Sequence, residues 1–415
     1  MPGNPARIIC TIEEYKQKKM IKKILKASFF RFYDSFSYRM MNKLYRNQWK
    51  RNLVMNQIDP SQKAEGEEEY IRFWQKAFGS KKVDVYSYRL FSHYMGNVPH
   101  IIPEILGNTL LEKQLNPIRY RDFYSEKNVY SMYFPDSKVI PQTLMARIVG
   151  GNIVRYNDKK KYNELVFSFK NLSNLTAEAL AAQLEGHSKV CFKPTVDTSS
   201  GVGVTLFLRQ ENQFLASDGT KLDGQYLEQM GNDWVIQEVI QQHPYISQFN
   251  TSSTNTMRVC VYRSLMDEQP RVTAAAMRVE AEGAFVDNAH AGGRFVGIDV
   301  QTGALHHTTL DQYGTRKDVW NNVDYSKNDF QIPCWQQVKD MAVSIAHHTP
   351  HMRLIAFDIC LDSSSSPRVI EMNVGGFAWW MLLYIGQDVF AGETAKVIDY
   401  CLEKEKKSRP HFQMY

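Results

Sequence analysis

The sequence has few cysteines, no paired Cys-x-x-Cys spacing and no long apolar run. Its six cysteines are scattered along 415 residues, which excludes a zinc ribbon and a disulfide framework. No stretch approaches the roughly 20 apolar residues that a membrane-spanning helix needs, and the first residues lack the apolar core of an export signal. We therefore expect a cytoplasmic protein with reduced cysteines, in which Cys191 and Cys360 are core residues.

Acidic residues are almost absent from one N-terminal segment. Residues 16–51 contain twelve Lys or Arg and only one acid, Asp34, a local balance of +11. The formal net charge of the chain is +6, so the remainder carries 6 − 11 = −5. A uniformly basic nucleic-acid-binding protein is not indicated, and we expect no nucleic-acid partner.

The basic segment is predicted to be helical over about residues 11–54. Apolar side chains recur there at steps of three and four residues: Ile21, Ile24, Leu25, Phe29, Phe32, Phe36, Met40 and Leu44. Such a helix can lie against the inner face of an anionic membrane as a peripheral contact through residues 16–51, or it can cover the protein's own core. We adopt the second interpretation. Residues 55–69 are polar and are predicted to be a linker.

The rest of the chain mixes the two kinds of secondary structure. Helices are predicted over 69–78, after Lys138, over 175–184 with Thr176 as N-cap, and over 335–347. A strand is predicted over 83–90, and strands dominate from residue 190 onward. With 43% hydrophobic residues the chain can bury a substantial core. The predicted fold class is α+β.

Two short apolar runs near the carboxyl end carry three oxygen-bearing side chains. They are residues 353–361, which include Asp358, and residues 368–373, which include Glu371 and Asn373. The intervening Asp-Ser-Ser-Ser-Ser-Pro is typical of a turn, so a hairpin is predicted. Side chains two residues apart in a strand share a face, and two carboxylates with an amide oxygen suit Mg²⁺. A magnesium site is therefore predicted, against the simpler interpretation of solvated acids near strand ends.

A glycine-rich loop follows a strand that ends in Lys193. The loop runs from Thr195 to Val204 and contains two glycines that let backbone N–H groups approach a phosphate. No Gly-Lys-Ser/Thr follows it, and the next element is a strand, so it is neither a Walker loop nor a dinucleotide fingerprint. The kinase His-Arg-Asp and Asp-Phe-Gly signatures are also absent. An ordinary hairpin turn remains the alternative.

Two further motifs lie between the loop and the predicted metal site. Gln237 and Glu238 end the strand Trp-Val-Ile-Gln-Glu and can present hydrogen-bonding groups to an adenine edge. Asn-Thr-Met-Arg ends at Arg258, and Arg278 follows in the next apolar run. Arginine offers a planar fork of donors that fits phosphate or carboxylate. A buried strand and structural arginines are the alternatives.

In this order the motifs resemble the ATP-grasp superfamily, and within it the sugar-transfer-associated family linked to polysaccharide and capsule assembly. The resemblance covers roughly residues 130–405. It implies two α+β subdomains that grip ATP behind a helical N-terminal region. Together with the pattern of residues 1–75, which the resemblance does not cover, the expected divisions are 1–75 (helical region and linker), 76–185 (N-terminal α/β region), 186–245 (small subdomain with the glycine-rich lid) and 246–415 (subdomain with the metal site).

The resemblance also implies roles for individual residues. ATP would be held by Lys138, Lys193, Ser199, Ser200, Gly201, Val202, Gly203, Gln237, Glu238, Val239, Ile240 and His243. One or two Mg²⁺ ions would be bound by Asp358, Glu371 and Asn373, and catalytic arginines would be Arg258, Arg278 and Arg294. Two positions depart from the family pattern. Gln-Gln-His243 stands where many relatives have an acid for ribose, and Ala356 stands where many peptide ligases have arginine.

The implied activity is ATP-dependent ligation of a carboxylate to an amine through an acyl-phosphate. The expected product is an amide between an amino acid or amine and a uronic acid or related glycan component, with Trp379 and Trp380 as residues that can stack on a sugar. The alternatives are a kinase-like phosphoryl transferase and a non-catalytic nucleotide-binding protein at the membrane surface. The oligomeric state is left open.

Overall fold

The computed structural model describes residues 35–134, 139–147, 153–157, 164–168, 172, 175–195, 203–283 and 292–407. Helix α1 covers residues 35–55. The other helices are α2 (Glu67–Phe78), α3 (Tyr86–Met95), α4 (Glu104–Leu106), a π-helical segment (Gly107–Leu111), α5 (Glu112–Leu115), α6 (Ile118–Ser125), α7 (Lys127–Tyr133), α8 (Ala177–Gln183), α9 (Gly224–Gln229), α10 (Pro244–Ser247), α11 (Trp335–His347), α12 (Trp379–Tyr384) and α13 (Thr394–Lys407).

The strands fall into two large antiparallel sheets. The first sheet has the order β3-β2-β1-β7-β4-β5-β6 and the second β12-β11-β10-β9-β8-β15-β16, while β13 and β14 pair separately. The strands of the first are β1 (Thr143–Arg147), β2 (Ile153–Asn157), β3 (Glu164–Ser168), β4 (Lys189–Pro194), β5 (Thr205–Gln210), β6 (Gln213–Leu215) and β7 (Trp234–Glu238). The others are β8 (Met257–Arg263), β9 (Pro270–Val279), β10 (Arg294–Gly297), β11 (Thr309–Leu310), β12 (Arg316–Lys317), β13 (Val319–Trp320), β14 (Val323–Asp324), β15 (Leu354–Leu361) and β16 (Pro367–Asn373). The predicted division at residue 185 falls inside the first sheet.

The second sheet is covered on both faces. Val259 and Phe357 point to the face that packs against α11. Cys260 and Ala356 point to the opposite face, which packs against the N-terminal helices and α12. Alternation along each strand divides the side chains in this way. The predicted site therefore lies on the face that the N-terminal helices approach.

Helix α1 covers the core, but with a different stripe of side chains from the predicted one. Trp49 and Leu53 are fully buried in the same cluster as the second sheet, whereas Phe36, Met40 and Leu44 are exposed. These three members of the predicted stripe therefore face solvent, and its members before residue 35 lie outside the described residues. In the described part of the chain, no helix is both long and apolar enough to cross a membrane.

Two predicted elements have the wrong secondary structure. Residues 86–95 form α3 where a strand was predicted from the aromatic and β-branched content of 83–90. The Asp84 carboxylate accepts a hydrogen bond from the Tyr86 N–H, at 3.3 Å, at the first residue of this helix. Residues 143–147 form β1 where a helix was predicted, because they pair between β2 and β7.

Other local predictions are confirmed. Helix α8 has Thr176 as N-cap, with its hydroxyl accepting from the Ala179 N–H at 3.2 Å. Helix α11 covers 335–347 as predicted. Strands β4 and β5 form the antiparallel hairpin expected on either side of the glycine-rich loop. These elements carry strong local signals that tertiary packing does not oppose.

A buried acid in the N-terminal helices gives a pH-dependent prediction. Burial raises the pKa of Glu104 to about 8, with a further contribution from Glu112. Between pH 4.5 and 8 the unfolded chain ionises this group while the folded protein keeps it protonated, so stability falls as the pH rises. We expect Glu104→Gln to raise Tm at pH 8.5 and to leave it nearly unchanged at pH 4, measured by thermal unfolding.

The exposed acid Glu228 supplies the control. The same comparison is made for Glu228→Gln, which also removes one carboxylate but from an exposed position. If Glu104→Gln and the parent protein lose stability equally between pH 5 and pH 8.5, the raised pKa of Glu104 is contradicted.

Candidate phosphate and metal site

A β-bulge brings the predicted metal ligands to one face of the second sheet. From the turn inward, Leu361 pairs with Pro367 and Ile359 with Val369, and then Asp358 pairs with Glu371. Ile370 is the extra residue. Without it, Glu371 would lie opposite Phe357 and point to the α11 face. Asn373 pairs with Ala356, so it shares the face of Asp358 and Glu371.

Asp358 is held by two arginines from the neighbouring strands. Arg258 donates from Nε to Oδ1 at 2.6 Å and from Nη2 to Oδ2 at 2.9 Å. Arg278 Nη2 lies 2.6 Å from Oδ2. Burial would raise the pKa of Asp358, but the two guanidinium groups hold it below its ordinary value. The Asp358 carboxylate is therefore ionised, and Arg258 and Arg278 both lie at the predicted metal site.

The Asn-Thr-Met-Arg motif acquires a structural explanation. Asn255 donates from Nδ2 to the carbonyls of Ile246 and Asn250, which fixes the chain entering β8. Thr256 accepts from Arg278 Nε at 3.2 Å and so orients that guanidinium. Arg258 follows on the face of Asp358. One short segment therefore positions both arginines, a role for Thr256 that the sequence did not suggest.

Lys127 is a cation at this site that the sequence analysis missed. Its Nζ lies 2.9 Å from Glu371 Oε1, and its side chain is largely buried. Helix α7 is attached to β16 because the Met372 N–H donates to the Tyr130 hydroxyl at 2.9 Å. In the sequence, Glu126 and Lys127 mark the start of this helix, but no neighbouring residue indicates which strand Lys127 contacts.

The oxygen donors of Asp358, Glu371 and Asn373 are of the types that bind magnesium. Two carboxylates and an amide share one face, which is a donor set that Mg²⁺ accepts. Asn373 donates from Nδ2 to Ala356 O at 3.2 Å and to Asp358 Oδ2 at 3.4 Å, so its Oδ1 is the group for a cation. Among the described residues no cluster of three or more His, Cys, Asp or Glu side chains is arranged for a metal. The metal assignment stays a prediction.

Lys193 lies on the first sheet, within electrostatic range of the second. It lies on β4 opposite Val235 of β7. Burial raises the pKa of the Cys360 thiol on β15 to about 12, and nearby Arg368 and Lys193 oppose that rise. Lys193 thus lies close to the strand that carries Asp358. Gly203, at the end of the glycine-rich loop, has a φ of 79°, and a Cβ there would meet Pro194 at 2.8 Å.

The predicted adenine segment lies along the end of β15. The backbone N–H of His243 donates to Leu361 O at 2.9 Å, and its ring Nδ1 accepts from the Tyr245 N–H. Glu238 Oε1 accepts from Arg368 Nη2 at 2.7 Å and from the Gln142 N–H at 2.9 Å. Gln237 is buried and donates to Thr143 Oγ1. Val239 and Ile240 are half-buried. The Glu238 carboxylate therefore already has partners within the protein.

Several predicted residues are not brought to the site. Arg294 pairs with Val279 on the opposite face of β10 and donates to the hydroxyl and carbonyl of Thr309. It is therefore a structural arginine and does not supply the charge missing at position 356. Trp379 is fully buried and donates to Glu112, so it cannot stack on a sugar. The remaining predicted ligands, Lys138, Ser199, Ser200, Gly201 and Val202, lie outside the described residues.

Solved structures of ATP-grasp ligases resemble this chain at low identity. PsnB complexed with a minimal precursor is 13% identical, with a TM-score of 0.36, and the match covers 70% of this chain and 63% of that one. The D-alanine–D-alanine ligase from Coxiella burnetii is 11% identical, with a TM-score of 0.33, covering 69% and 61%. The macrocyclase MdnC from Microcystis aeruginosa is 13% identical, with a TM-score of 0.34, covering 69% and 64%. The chain thus spans less than two thirds of the length of each.

Sequence comparison assigns the family. Comparison with curated proteins gives no match. The profile of the sugar-transfer-associated ATP-grasp family matches residues 111–385, which is more than half of the chain and includes both sheets. The predicted α+β fold class and the predicted resemblance are therefore confirmed, and the chain belongs to the sugar-transfer-associated ATP-grasp family.

Proposed function

We propose that this protein is an ATP-dependent ligase that joins a carboxylate to an amine through an acyl-phosphate. The observation that supports this most is the cluster on one face of the second sheet. It combines Asp358, Glu371 and Asn373 with Arg258, Arg278 and Lys127. Cations and hard oxygen ligands at one place suit the terminal phosphates of ATP. Family membership supports the same class of activity.

The chemistry proceeds in two balanced steps. A carboxylate oxygen attacks the γ-phosphorus, and the bond between that phosphorus and the bridging oxygen breaks, so that ADP leaves with the electron pair. The amine nitrogen then attacks the acyl carbon, the carbon–oxygen bond to phosphate breaks, and the amine loses a proton. The products are an amide, ADP and phosphate.

The residues of this chain bind and orient the reactants rather than react covalently. Arg258, Arg278 and Lys127 stand ready to neutralise charge on the transferring phosphoryl group, and Lys193 would contact the phosphates from the first sheet. Asp358, Glu371 and Asn373 would hold one or two Mg²⁺ ions, which when bound neutralise phosphate charge. The glycine-rich loop, of which residues 199–202 lie outside the described residues, is proposed to exclude water from the acyl-phosphate.

The proposed substrates follow the family's link to sugar transfer. We propose a uronic acid or related component of a cell-surface polysaccharide such as a capsule as the carboxylate, and an amino acid or other amine as its partner. An ADP-release screen with Mg²⁺ across hexuronates and amino acids, followed by product masses, tests this. An amide adduct supports the ligase, a phosphorylated product indicates the kinase-like alternative, and no ADP release with any pair contradicts both.

Helix α1 supports a second, separate proposal about location. Phe36, Met40 and Leu44 are 57%, 53% and 56% exposed, and residues 35–55 contain five Lys or Arg and no acid. An exposed apolar stripe among cations suits the surface of an anionic bilayer. We propose a peripheral membrane contact within residues 16–51. Sedimentation with phosphatidylglycerol vesicles, but not with phosphatidylcholine vesicles, would support it, and equal recovery in both supernatants would contradict it.

A further inference from the structure

Arg121 of α6 lies against the loop that follows the predicted metal strand. A Cβ atom placed on Gly375 would lie 3.2 Å from Arg121 Nη1. Gly375 comes two residues after Asn373, which itself comes two residues after Glu371. Strand β16 ends at Asn373, and residues 374 and 375 form a bend. The Arg121 guanidinium therefore contacts the bend that directly follows the predicted metal strand.

Asn116 fixes Arg121 relative to both strands of the site. Arg121 Nε donates to the Asn116 carbonyl at 2.7 Å. The Asn116 side chain donates to Leu354 O at 2.6 Å and to Val374 O at 2.9 Å, and accepts from the Leu354 N–H at 3.1 Å. Asn116 is almost fully buried. The arginine is thus attached to the start of β15 and to the end of β16.

Glu112, one helical turn before Asn116, holds the loop itself. Its carboxylate accepts from the Gly376 N–H at 2.9 Å, from the Phe377 N–H at 2.9 Å and from Trp379 Nε1 at 2.8 Å. The charge of Glu112 is therefore already hydrogen-bonded to the loop and the indole. Burial raises the pKa of this carboxyl group, and the Phe377 N–H and the nearby Arg121 guanidinium oppose that rise. Residues 112–121 therefore contact the loop after β16 on both of its sides.

A substrate carboxylate bound on the side of Gly375 needs a positive charge that the cluster around Asp358 and Glu371 does not supply there. Arg258 and Arg278 are paired with Asp358, and Lys127 is paired with Glu371. These cations stand at the end where the phosphates would bind. A carboxylate that attacks a phosphoryl group brings its own negative charge, so it needs a cation on its own side. Guanidinium presents parallel N–H donors that match a carboxylate.

We propose that Arg121 binds the carboxylate of the acyl-donor substrate, at a subsite formed with Gly375. Arg121 holds the carboxylate oxygen that does not attack, and the other oxygen faces the γ-phosphorus. As the new bond to phosphorus forms, the carboxylate charge shifts toward the phosphoryl oxygens and ADP leaves. This inference rests on the proposed function and assigns its acyl-donor site.

The test compares Arg121→Met with Arg119→Met. Arg119 lies on the same helix, is exposed and stacks on Tyr120, so it is a matched control for the loss of an arginine. The probes are D-glucuronate, D-galacturonate and L-alanine, in carboxylate-dependent ADP release with saturating Mg²⁺ and ATP. Binding of a non-hydrolysable ATP analogue is measured by calorimetry for every variant. We expect Arg121→Met to raise KM for the carboxylate by about 10- to 100-fold and to leave analogue binding unchanged.

A second variant leaves the charge in place. Gly375→Ala puts a methyl group against the Arg121 guanidinium, and Gly375 does not have a positive φ, so its backbone accepts alanine. We expect a smaller rise in KM for the carboxylate with unchanged nucleotide binding. Arg121→Lys should recover part of the loss, because it restores the charge without the fork.

The outcomes separate this inference from the function on which it rests. Equal carboxylate KM values for Arg121→Met and Arg119→Met overturn the Arg121 assignment, as does a loss of analogue binding that matches the loss of carboxylate binding. A parent protein that binds the analogue but is not saturated by any of the three carboxylates also overturns it. If the parent protein binds no ATP analogue, the proposed function itself is wrong.

Discussion

Replacing Asp358 by asparagine is expected to lower the free energy of unfolding by about 3–5 kcal/mol and to abolish ADP release. The carboxylate is only 3% exposed and contacts both Arg258 and Arg278. Asparagine keeps the shape but removes the charge of the carboxylate that contacts both largely buried guanidinium groups. Because the pKa of Asp358 is lowered in the folded protein, the contribution of these ion pairs is present above about pH 4 and is lost as the pH falls further. Urea unfolding at pH 7 measures the change.

An exposed ion pair gives the comparison for this prediction. Asp267 pairs with Arg271, and both side chains are more than 40% exposed. Asp267→Asn should change the free energy of unfolding far less than Asp358→Asn does, since solvent screens such exposed pairs. A loss in Asp358→Asn that is no larger than the loss in Asp267→Asn would contradict a buried network around Asp358.

The local part of the site could be predicted from the sequence. The turn chemistry of residues 362–367 and the apolar runs on either side predict the β15–β16 hairpin, and the structure contains it. The face of Glu371 could not be predicted in this way. A regular hairpin from that turn would direct Glu371 away from Asp358, and only the bulge at Ile370 corrects the register. The prediction that Asp358 and Glu371 share a face was correct, but it depends on a β-bulge that the sequence did not reveal.

The positions of the two cations that approach from the N-terminal helices could not be predicted from the local sequence. Lys127 and Arg121 reach β16 and the following loop across more than 240 positions of sequence, through the packing of α6 and α7. Arg294 was selected because it is an arginine beside glycines, yet strand alternation turns it to the other face. Strand β1 has a helix-forming composition but is enclosed between two strands. In each of these cases contacts between residues far apart in the sequence determined the structure, and local sequence preference did not.

Glu371→Gln is expected to reduce the rate of ADP release by about 100-fold or more without loss of the fold. Glutamine has the same length but no charge, so it neither pairs with Lys127 nor supplies a carboxylate to a divalent cation. Glu371 is about one third exposed, so the expected loss of stability is small. ADP release and calorimetric titration of Mn²⁺ in the presence of an ATP analogue measure the two effects. Glu228→Gln is the matched control, because Glu228 is similarly exposed and pairs with Arg147.

Lys127 allows the two possible contributions of Glu371 to be separated. If Glu371 serves only to neutralise Lys127, then removing both charges in Lys127→Met/Glu371→Gln should restore Mn²⁺ binding toward that of the parent protein. If Glu371 is a cation ligand, the double variant binds Mn²⁺ as weakly as Glu371→Gln does. We expect the second result, because the carboxylate stands opposite Asp358 and on the same face as Asn373. The coupling between the two substitutions, measured as a double-mutant cycle, decides between them.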